Sequence, residues 1–362
     1  MSSELVTTTH INKKQCTGID ATTMAVHNWN DSTPLATAYP QINGSKSILP
    51  APTMKLTGHT SYVYTAQFSS DGLYLASAGN DQQLLIWSIN NSCNNISVLK
   101  GHNKAITQLQ WVDDMVYTCS ADNSVQLFDI QNESRIKKIT RIHTQCINTV
   151  TYNNKYGLLF SGSDDCRSCG IDTRNSYKST HGITQQYPIL SIDSNDNDIY
   201  VAGIDNQIYC YDIRKLDNIN NTSDTVTQPV YTLYGHNDSV TGISVSHNKQ
   251  YLCSTSHDQS IIIHDINPYI QTNKTRLLHQ FNGGVHDKQM NLLRCHWSSN
   301  DKYISCGSSN TITYIFNTQT GTIQHQLPGH TGSVNEIDFH PTQSIIASCS
   351  NDATLLVGEI EL

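Results

Sequence analysis

The sequence predicts an all-β protein built from seven similar units, and three observations support this prediction. A pattern with a period of about 43 residues recurs along most of the chain, as expected of one repeated structural unit. Apolar and polar residues tend to alternate inside the units, for example in SVTGISVS and TITYIF, which is typical of β-strands. Of the 362 residues, 37% are hydrophobic and only 14% are charged, a balance that suits short strands joined by polar turns.

The units are recognised by a histidine near the start and by an aspartate or asparagine at a later turn. The histidines are His59, His102, His143, His236, His286 and His330. The turn residues that follow them are Asp81, Asp122, Asp165, Asp258, Asn310 and Asp352. The long interval between His143 and His236 has room for one more unit, whose turn is predicted around Asp205 in VAGIDNQIYCYDIR.

Two further positions keep the same register in every unit. Six residues after the turn position stand Trp87, Phe128, Ile171, Tyr211, His264, Phe316 and Gly358. Four residues before it stand Ser77, Thr118, Ser161, Val201, Ser254, Cys306 and Ser348. Since Asp-Gly, Asn-Asp or Asp-Asn pairs separate the apolar runs, each unit is predicted to be a meander of four strands.

Units of this length that begin with GH and end with an aromatic residue and Asp, as in FD at 128 and YD at 211, resemble the WD-repeat family. The resemblance covers about residues 53–362 and implies a seven-bladed β-propeller. We therefore predict a propeller over residues 51–362 and a disordered tail over residues 1–50, which mix Thr, Ser, Asn and three prolines. The polar stretch 215–229 is predicted to be a surface loop.

The two ends of the chain are predicted to meet in the last blade. After Asp352 only TLLVGEIEL remains, which is enough for one strand and leaves the seventh unit without its outermost strand. The segment MKLTGH at 54–59 is similar to the outer strands that precede other GH pairs and is predicted to supply the missing strand. This pairing removes exposed strand edges.

The recurring histidines admit a catalytic and a structural interpretation. His59, Ser77 and Asp81 are the residue types of a Ser-His-Asp triad, but an enzyme needs one such set in one cleft, and similar sets recur here along the chain. The WD-repeat resemblance implies instead a buried hydrogen-bonded chain running from Trp87 through Ser77 and His59 to Asp81. The same role is implied for His102, Thr118 and Asp122; His143, Ser161 and Asp165; His236, Ser254 and Asp258; and His330, Ser348 and Asp352. We predict no enzyme, cofactor, metal site or small-molecule substrate.

Charge and composition restrict the remaining classes of function. The net charge of −8 lacks the basic excess of a protein that grips nucleic acid by itself. The start, MSSELVTTTHINKK, lacks the apolar core of a signal peptide, and no run of about eighteen apolar residues suggests a membrane span. The 11 cysteines fit a reducing compartment. We expect an intracellular protein with indirect or minor RNA contact and no membrane partner.

Two further motifs favour structural interpretations. Cys166 and Cys169 form a C-x-x-C pair, but zinc normally requires a second pair and redox pairs usually open a helix. The stretch RIKKITRIH could contact phosphate or an acidic partner and is interpreted as a solvated strand edge protected by its cations, Arg135, Lys137, Lys138 and Arg141.

Several stretches look more specific than the general repeat. GHNDSVTGISVS, VHDKQMNLLRCHWS and LPGHTGSVNEIDFHP, in this order and spacing, resemble the WD-repeat proteins of the spliceosomal U5 small nuclear ribonucleoprotein. This resemblance implies a nuclear, non-enzymatic scaffold in pre-mRNA splicing. Its implied partners are the large U5 pre-mRNA processing scaffold protein and other U5 proteins.

An alternative function rests on two arginines at matching places in consecutive units. IDTR and YDIR place Arg174 and Arg214 where the Asp-x-Arg signature stands in propellers that serve as substrate receptors of cullin-type ubiquitin ligases. An arginine at this place also commonly pairs with a carboxylate on the propeller rim. The receptor hypothesis therefore stays open at this point, with Arg174 and Arg214 as candidate partner-binding residues.

Overall fold

Antiparallel strands make up nearly all of the regular structure. The computed structural model describes residues 26–28, 48–89, 93–216, 226–269, 275–287 and 290–361. Within this part of the chain the strands form seven sheets, one per predicted unit, which we call blades 1 to 7. No helix of the described residues is long and apolar enough to cross a membrane.

The strand bounds follow the predicted repeat. The first two strands are β1 (Val26–Asn28) and β2 (Thr53–Thr57). Blade 1 contains β3 (Val63–Phe68), β4 (Tyr74–Gly79), β5 (Gln83–Ser88) and β6 (Asn95–Lys100). Blade 2 contains β7 (Ile106–Val112), β8 (Met115–Ser120), β9 (Val125–Asp129) and β10 (Ser134–Ile139). Blade 3 contains β11 (Ile147–Asn153), β12 (Leu158–Ser163), β13 (Arg167–Asp172) and β14 (Lys178–Thr184).

The second half of the molecule repeats this order. Blade 4 contains β15 (Ile189–Ser194), β16 (Asp198–Gly203), β17 (Ile208–Asp212) and β18 (Tyr231–Leu233), with one 3-10 turn at Ile213–Lys215. Blade 5 contains β19 (Val240–Val245), β20 (Tyr251–Ser256), β21 (Ser260–Asp265) and β22 (Leu277–Asn282). Blade 6 contains β23 (Cys295–Trp297), β24 (Tyr303–Cys306), β25 (Thr313–Asn317) and β26 (Ile323–Leu327). Blade 7 contains β27 (Val334–Phe339), β28 (Ile345–Ser350) and β29 (Thr354–Glu359).

The blades are arranged in a closed ring. The first strand of each blade is innermost and contacts the first strand of the next blade, and β27 of blade 7 contacts β3 of blade 1. A separate hydrophobic cluster fills each space between neighbouring blades. On β5, for example, Leu84 and Ile86 pack towards blade 2, whereas Leu85 and Trp87 pack towards blade 7. Because both faces of a blade are buried, strands such as QLLIW read as nearly continuous apolar runs.

The ring closes as the sequence predicts. Strand β2 pairs with β29 along its whole length, from Thr53 opposite Gly358 to Thr57 opposite Thr354. Leu56 on β2 is fully buried in the cluster between blades 7 and 1. The predicted all-β, seven-bladed propeller with an N-terminal strand in the last blade is therefore confirmed.

Side chains at the centre of the ring provide a second set of links between blades. An innermost strand has no backbone partner on its central side, so its N–H groups need other acceptors. Side chains of the preceding blade supply them. The acceptors are Gln67 for Trp111 N (2.7 Å), Gln108 for Val150 N (2.9 Å), Thr149 for Ile192 N (3.1 Å), Asp193 for Val245 N (2.7 Å) and Asp338 for Phe68 N (2.8 Å).

A buried arginine crosses the central channel. Arg294, which precedes blade 6, is 3% exposed, and its Nη2 donates to Asn148 O of blade 3 over 2.9 Å. Asn148 is the second residue of β11, so this bond lies near the end of the channel where the innermost strands begin. Further along the channel lies a cavity of about 280 Å³ lined by polar residues of several blades, among them Gln67, Asp193, His296 and Asp338.

The predicted tail and loop fall largely outside the described residues. Within residues 1–50, the backbone of β1 pairs with β2 as a fifth strand of blade 7. Leu49 is buried and packs in the cluster between blades 7 and 1. Of the loop predicted at 215–229, residues 217–225 lie outside the described part, and Thr227 N donates to Thr184 O of blade 3 over 2.9 Å.

Candidate functional site: the polar sets and the rim arginines

The complete polar set lies in blade 1. Trp87 Nε1 donates to Ser77 Oγ over 2.8 Å, and Ser77 Oγ lies 2.8 Å from His59 Nε2. His59 Nδ1 lies 2.8 Å from Asp81 Oδ2. Because an indole only donates and a carboxylate only accepts, Ser77 donates to His59 and His59 donates to Asp81. Each of the four side chains thus has a partner inside the blade.

The aspartate also stabilises the turn on which it lies. Asp81 accepts hydrogen bonds from the backbone N–H groups of Thr60 and Gln83. Equivalent pairs of backbone bonds reach Asp122, Asp165, Asp258 and Asp352. The residue after the turn position has a positive φ in all seven blades: Gln82 (65°), Asn123 (61°), Cys166 (63°), Asn206 (58°), Gln259 (66°), Thr311 (70°) and Ala353 (65°). A side-chain bond to the residue two positions on favours this left-handed turn.

Four other blades repeat the set without the tryptophan. The distances from histidine Nε2 to the hydroxyl oxygen are His102–Thr118 2.8 Å, His143–Ser161 2.9 Å, His236–Ser254 2.8 Å and His330–Ser348 2.9 Å. The distances from histidine Nδ1 to the carboxylate are 3.1 Å at Asp122, 3.0 Å at Asp165, 3.4 Å at Asp258 and 3.0 Å at Asp352. The structure therefore brings together all the histidine, hydroxyl and aspartate residues that the sequence analysis grouped in these blades.

These contacts keep the aspartates ionised. Burial by itself would raise a carboxyl pKa, but hydrogen bonds from the histidine and from backbone N–H groups outweigh it. They lower the pKa of Asp81, Asp122, Asp165, Asp258 and Asp352. In blade 3, burial opposes the imidazolium form, but the hydrogen bond to Asp165 raises the pKa of His143 to about 9.

The set in blade 1 has the atoms of a catalytic triad but is closed to substrate. Ser77 is 0% exposed, and its Oγ is already bonded to both Trp87 and His59. A nucleophile must reach the atom it attacks, and here the protein itself occupies the space around the hydroxyl. The chemistry of the set is hydrogen bonding within the blade.

Two blades have no histidine in the register of His59, and in blade 6 this finding corrects the sequence prediction. In blade 4 the position of His59, four residues before the innermost strand, is taken by Gln185, whose Nε2 donates to Tyr211 Oη over 3.2 Å. In blade 6, His286 precedes β23 by nine residues and lies outside the blade interior. Its Nδ1 lies 3.1 Å from Nδ1 of His257 in blade 5. The predicted equivalence of His286 with the other histidines is wrong, because the loop before β23 is longer than its counterparts.

Arg174 and Arg214 both lie on the rim between blades 3 and 4. Arg174 Nε is 3.4 Å from Asp172 Oδ1. Arg214 makes two bonds to Asp212, from Nε over 2.9 Å and from Nη2 over 2.8 Å. The two guanidinium groups line one groove of about 320 Å³ together with Tyr156, Leu158, Thr180, His181 and Ile213. Both arginines thus have a carboxylate partner two residues earlier while remaining largely exposed.

The C-x-x-C pair does not converge on a common point. Cys166 lies at the left-handed turn position of blade 3, and its Sγ is directed at Asp164 O. Cys169 is buried on β13, and its Sγ lies 3.3 Å from Ile142 O. Across the residues that the structure describes, no group of three or more His, Cys, Asp and Glu side chains is placed to hold a metal ion.

Three members of the basic cluster, Arg135, Lys137 and Lys138, lie on β10, the outer strand of blade 2, and Arg141 lies in the loop that follows it. The first four residues of β10 are exposed, and the outer edge of this strand has no pairing partner among the described strands. Lys138 Nζ lies 3.4 Å from Asp122 Oδ2, and Arg135 Nη1 contacts Gln126 Oε1 over 3.4 Å. Lys138 thereby lies beside the polar set of its own blade.

The fold and the repeated polar sets define a WD-repeat β-propeller. The family model described as "WD domain, G-beta repeat" matches residues 50–88, 93–129, 227–265 and 321–357. The chain is 39% identical over 320 residues to the U5 small nuclear ribonucleoprotein 40 kDa protein of Dictyostelium discoideum, covering 87% of this chain and 86% of that protein. It is 36% identical to the human protein of the same name (87% and 85% covered) and 36% identical to pre-mRNA-splicing factor cwf17 of Schizosaccharomyces pombe (87% and 89% covered). The chain belongs to the family of these U5 40 kDa WD-repeat proteins.

Proposed function

We propose that this protein is a non-enzymatic scaffold subunit of the U5 small nuclear ribonucleoprotein that acts in pre-mRNA splicing in the nucleus. The observation that carries the proposal is the identity of 36–39% over 87% of the chain with proteins named as U5 40 kDa subunits. The match to a pre-mRNA-splicing factor of fission yeast supports the same process.

The fold supports a scaffold more than a catalyst. The side chains of the repeated Ser-His-Asp sets form hydrogen bonds with one another inside the blades, and Ser77 is not accessible to a substrate. What the molecule offers to partners is a stiff ring with loops on both faces, and loops held on a rigid frame are common binding sites. The partners we propose are the large pre-mRNA processing scaffold protein of U5 and other U5 proteins, with RNA contact indirect or minor.

The receptor hypothesis for Arg174 and Arg214 is not favoured. The relatives that cover most of the chain are named as splicing proteins. Each arginine is also paired with the aspartate two residues earlier, as a structural role on the rim requires.

Affinity purification of the tagged protein from nuclear extract tests the proposal. We expect U5 proteins to be recovered in near-equal amounts with the bait, as measured by quantitative mass spectrometry. The variant Arg174→Glu/Arg214→Glu should recover them equally well, since each arginine is paired with its own aspartate on the rim. Recovery of a cullin and its propeller adaptor in place of U5 proteins would overturn the proposal.

A further inference from the structure

An exposed group of large apolar side chains covers one face of blade 4 and its junction with blade 5. Tyr187 is 44% exposed, Ile204 is 48% exposed and Tyr234 is 65% exposed. We call these three residues the tyrosine patch. All three lie in loops on the face of the ring that carries the aspartate turns. Hydrogen bonds join these turns to the loops that lead into the innermost strands, so the turns and these loops lie on the same face.

The loops that carry the three side chains are in contact with one another. Ser239 Oγ donates to Ile204 O over 3.3 Å, which joins the turn of blade 4 to the loop that carries Tyr234. Ile204 and Tyr187 are linked through their neighbours, Gly203 and Pro188. A Cβ placed on Gly203 would lie 2.1 Å from Pro188 O, so the two backbones are in direct contact. Glycine is required at this close approach.

The surroundings of the patch are acidic. Loops 185–188, 204–207, 234–239 and 257–259 contain Asp205, Asp238 and Asp258 but no lysine or arginine. Burial opposes ionisation of Asp258, but the hydrogen bonds from His236 and Ser260 lower its pKa, so this carboxylate is charged at neutral pH. The corresponding loops of blade 2 differ, since they contain Lys104 and Arg141. The loops around the patch therefore carry negative charge without a nearby lysine or arginine, in contrast to the loops of blade 2.

The patch has the composition of a binding surface for protein. Tyrosine is enriched among the residues that dominate binding energy, and its amphipathic ring tolerates both water and an apolar partner. All three side chains are more than 40% exposed, so each presents a substantial apolar surface to a partner. A phosphate backbone would be repelled by the three aspartates, whereas lysine and arginine would be attracted.

We infer that the tyrosine patch is the docking surface for a segment of a partner protein that presents apolar side chains flanked by lysine or arginine. This inference rests on the proposed function, in which the partner is a protein of the U5 particle. Affinity arises from burial of the tyrosine rings, and the aspartates add attraction that weakens with salt.

The test compares matched tyrosine variants of the full chain in affinity purification from nuclear extract. The variant Tyr187→Ala/Tyr234→Ala removes the patch. The control Tyr269→Ala removes a tyrosine that is 95% exposed on the opposite face, after β21. Both variants should remain folded, as circular dichroism measures, because Tyr234 and Tyr269 are mostly exposed and Tyr187 is 44% exposed. We expect the double variant to recover at least tenfold less U5 protein than the control.

A photo-crosslinking amino acid identifies the segment itself. Placed at position 234, it should crosslink to a U5 protein peptide that contains apolar residues next to lysine or arginine, and placed at position 269 it should not. Asp238→Lys should lower recovery further at low salt than at high salt. Equal recovery by the double variant and the control, or crosslinks from position 234 to RNA or to an acidic peptide, would overturn the inference while leaving the proposed function intact. Failure of the wild-type protein to recover any U5 protein would overturn the proposed function and this inference with it.

Discussion

At the scale of single residues, the turn aspartate has the largest number of separate roles. Asp81 accepts hydrogen bonds from the His59 ring, from Thr60 N and from Gln83 N. It therefore fixes the loop that enters the blade, the turn between two strands and the tautomer of the histidine. A buried carboxylate with several donors stays charged, and removing one donor leaves an acceptor that water cannot easily reach.

The hydroxyl in the middle of the set offers a matched pair of stability tests. Ser77→Ala leaves both Trp87 Nε1 and His59 Nε2 without a partner, whereas Ser348→Ala leaves only His330 Nε2, because Gly358 stands at the tryptophan position. Each orphaned buried group costs about 1–3 kcal/mol. We expect Ser77→Ala to lower the free energy of unfolding in urea more than Ser348→Ala does. Equal losses would contradict the role assigned to Trp87.

The lowered carboxyl pKa values predict the response to acid. A group whose pKa is lower in the folded state stabilises the fold above its unfolded pKa, which is 3.8 for Asp, and loses this contribution as the pH falls below that value. Since five aspartates share this property, the melting temperature should fall steeply below about pH 4. Replacement of Asp352 by Asn should lower stability at pH 7 and make the acid-induced loss smaller. A melting temperature that is constant down to pH 3 would contradict these ion and hydrogen-bond assignments.

Much of this residue-scale chemistry could be predicted from spacing, and some could not. The sets built on His59, His102, His143, His236 and His330 follow the repeat, because the strands and turns between their members have constant lengths. The role of Gln185 was not predicted, because its partner is the hydroxyl of Tyr211 and not that of a serine. The position of Gln185, four residues before β15, is the same as that of the histidines and could have indicated its role. His286 was misassigned because a GH-like pair in a longer loop mimics the repeat.

At the scale of strands, β2 is the element on which closure depends. It pairs with β29 on one side and with β1 on the other, and its Leu56 fills the cluster between the first and last blades. The sequence predicted β2 because MKLT resembles the other outer strands and the last unit is one strand short. It could not predict β1, since VHN has no counterpart in the repeat.

Two deletions distinguish the parts of the N-terminal region. Removing residues 53–57 takes away β2 and exposes the edge of β29 and the cluster around Leu56, so the melting temperature should fall by many degrees. Removing residues 1–45 takes away only β1 from the described strands and should change the melting temperature little. Thermal unfolding followed by circular dichroism measures both. Equal tolerance of the two deletions would refute the role of β2 in closing the ring.

At the scale of the whole molecule, the ring is held by contacts between residues far apart in sequence. Asp338 of blade 7 accepts from Phe68 N of blade 1 across 270 residues, and Arg294 reaches Asn148 across 146. The number of blades follows from the repeat, whereas these central links do not, because a single sequence does not reveal which polar side chains face the channel. The polar side chains at the centre therefore stabilise the ring, and the loops on its two faces are the surfaces that can bind partners.

The proposed place of this ring in the U5 particle is tested most directly by sedimentation. Nuclear extract is separated on a glycerol gradient at moderate salt, and each fraction is probed for this protein and for U5 small nuclear RNA. We expect most of the protein to sediment with the U5 RNA and to leave those fractions when the particle is depleted with an antisense oligonucleotide. A protein found only in the slowly sedimenting fractions of free monomers would contradict its assignment to the U5 particle.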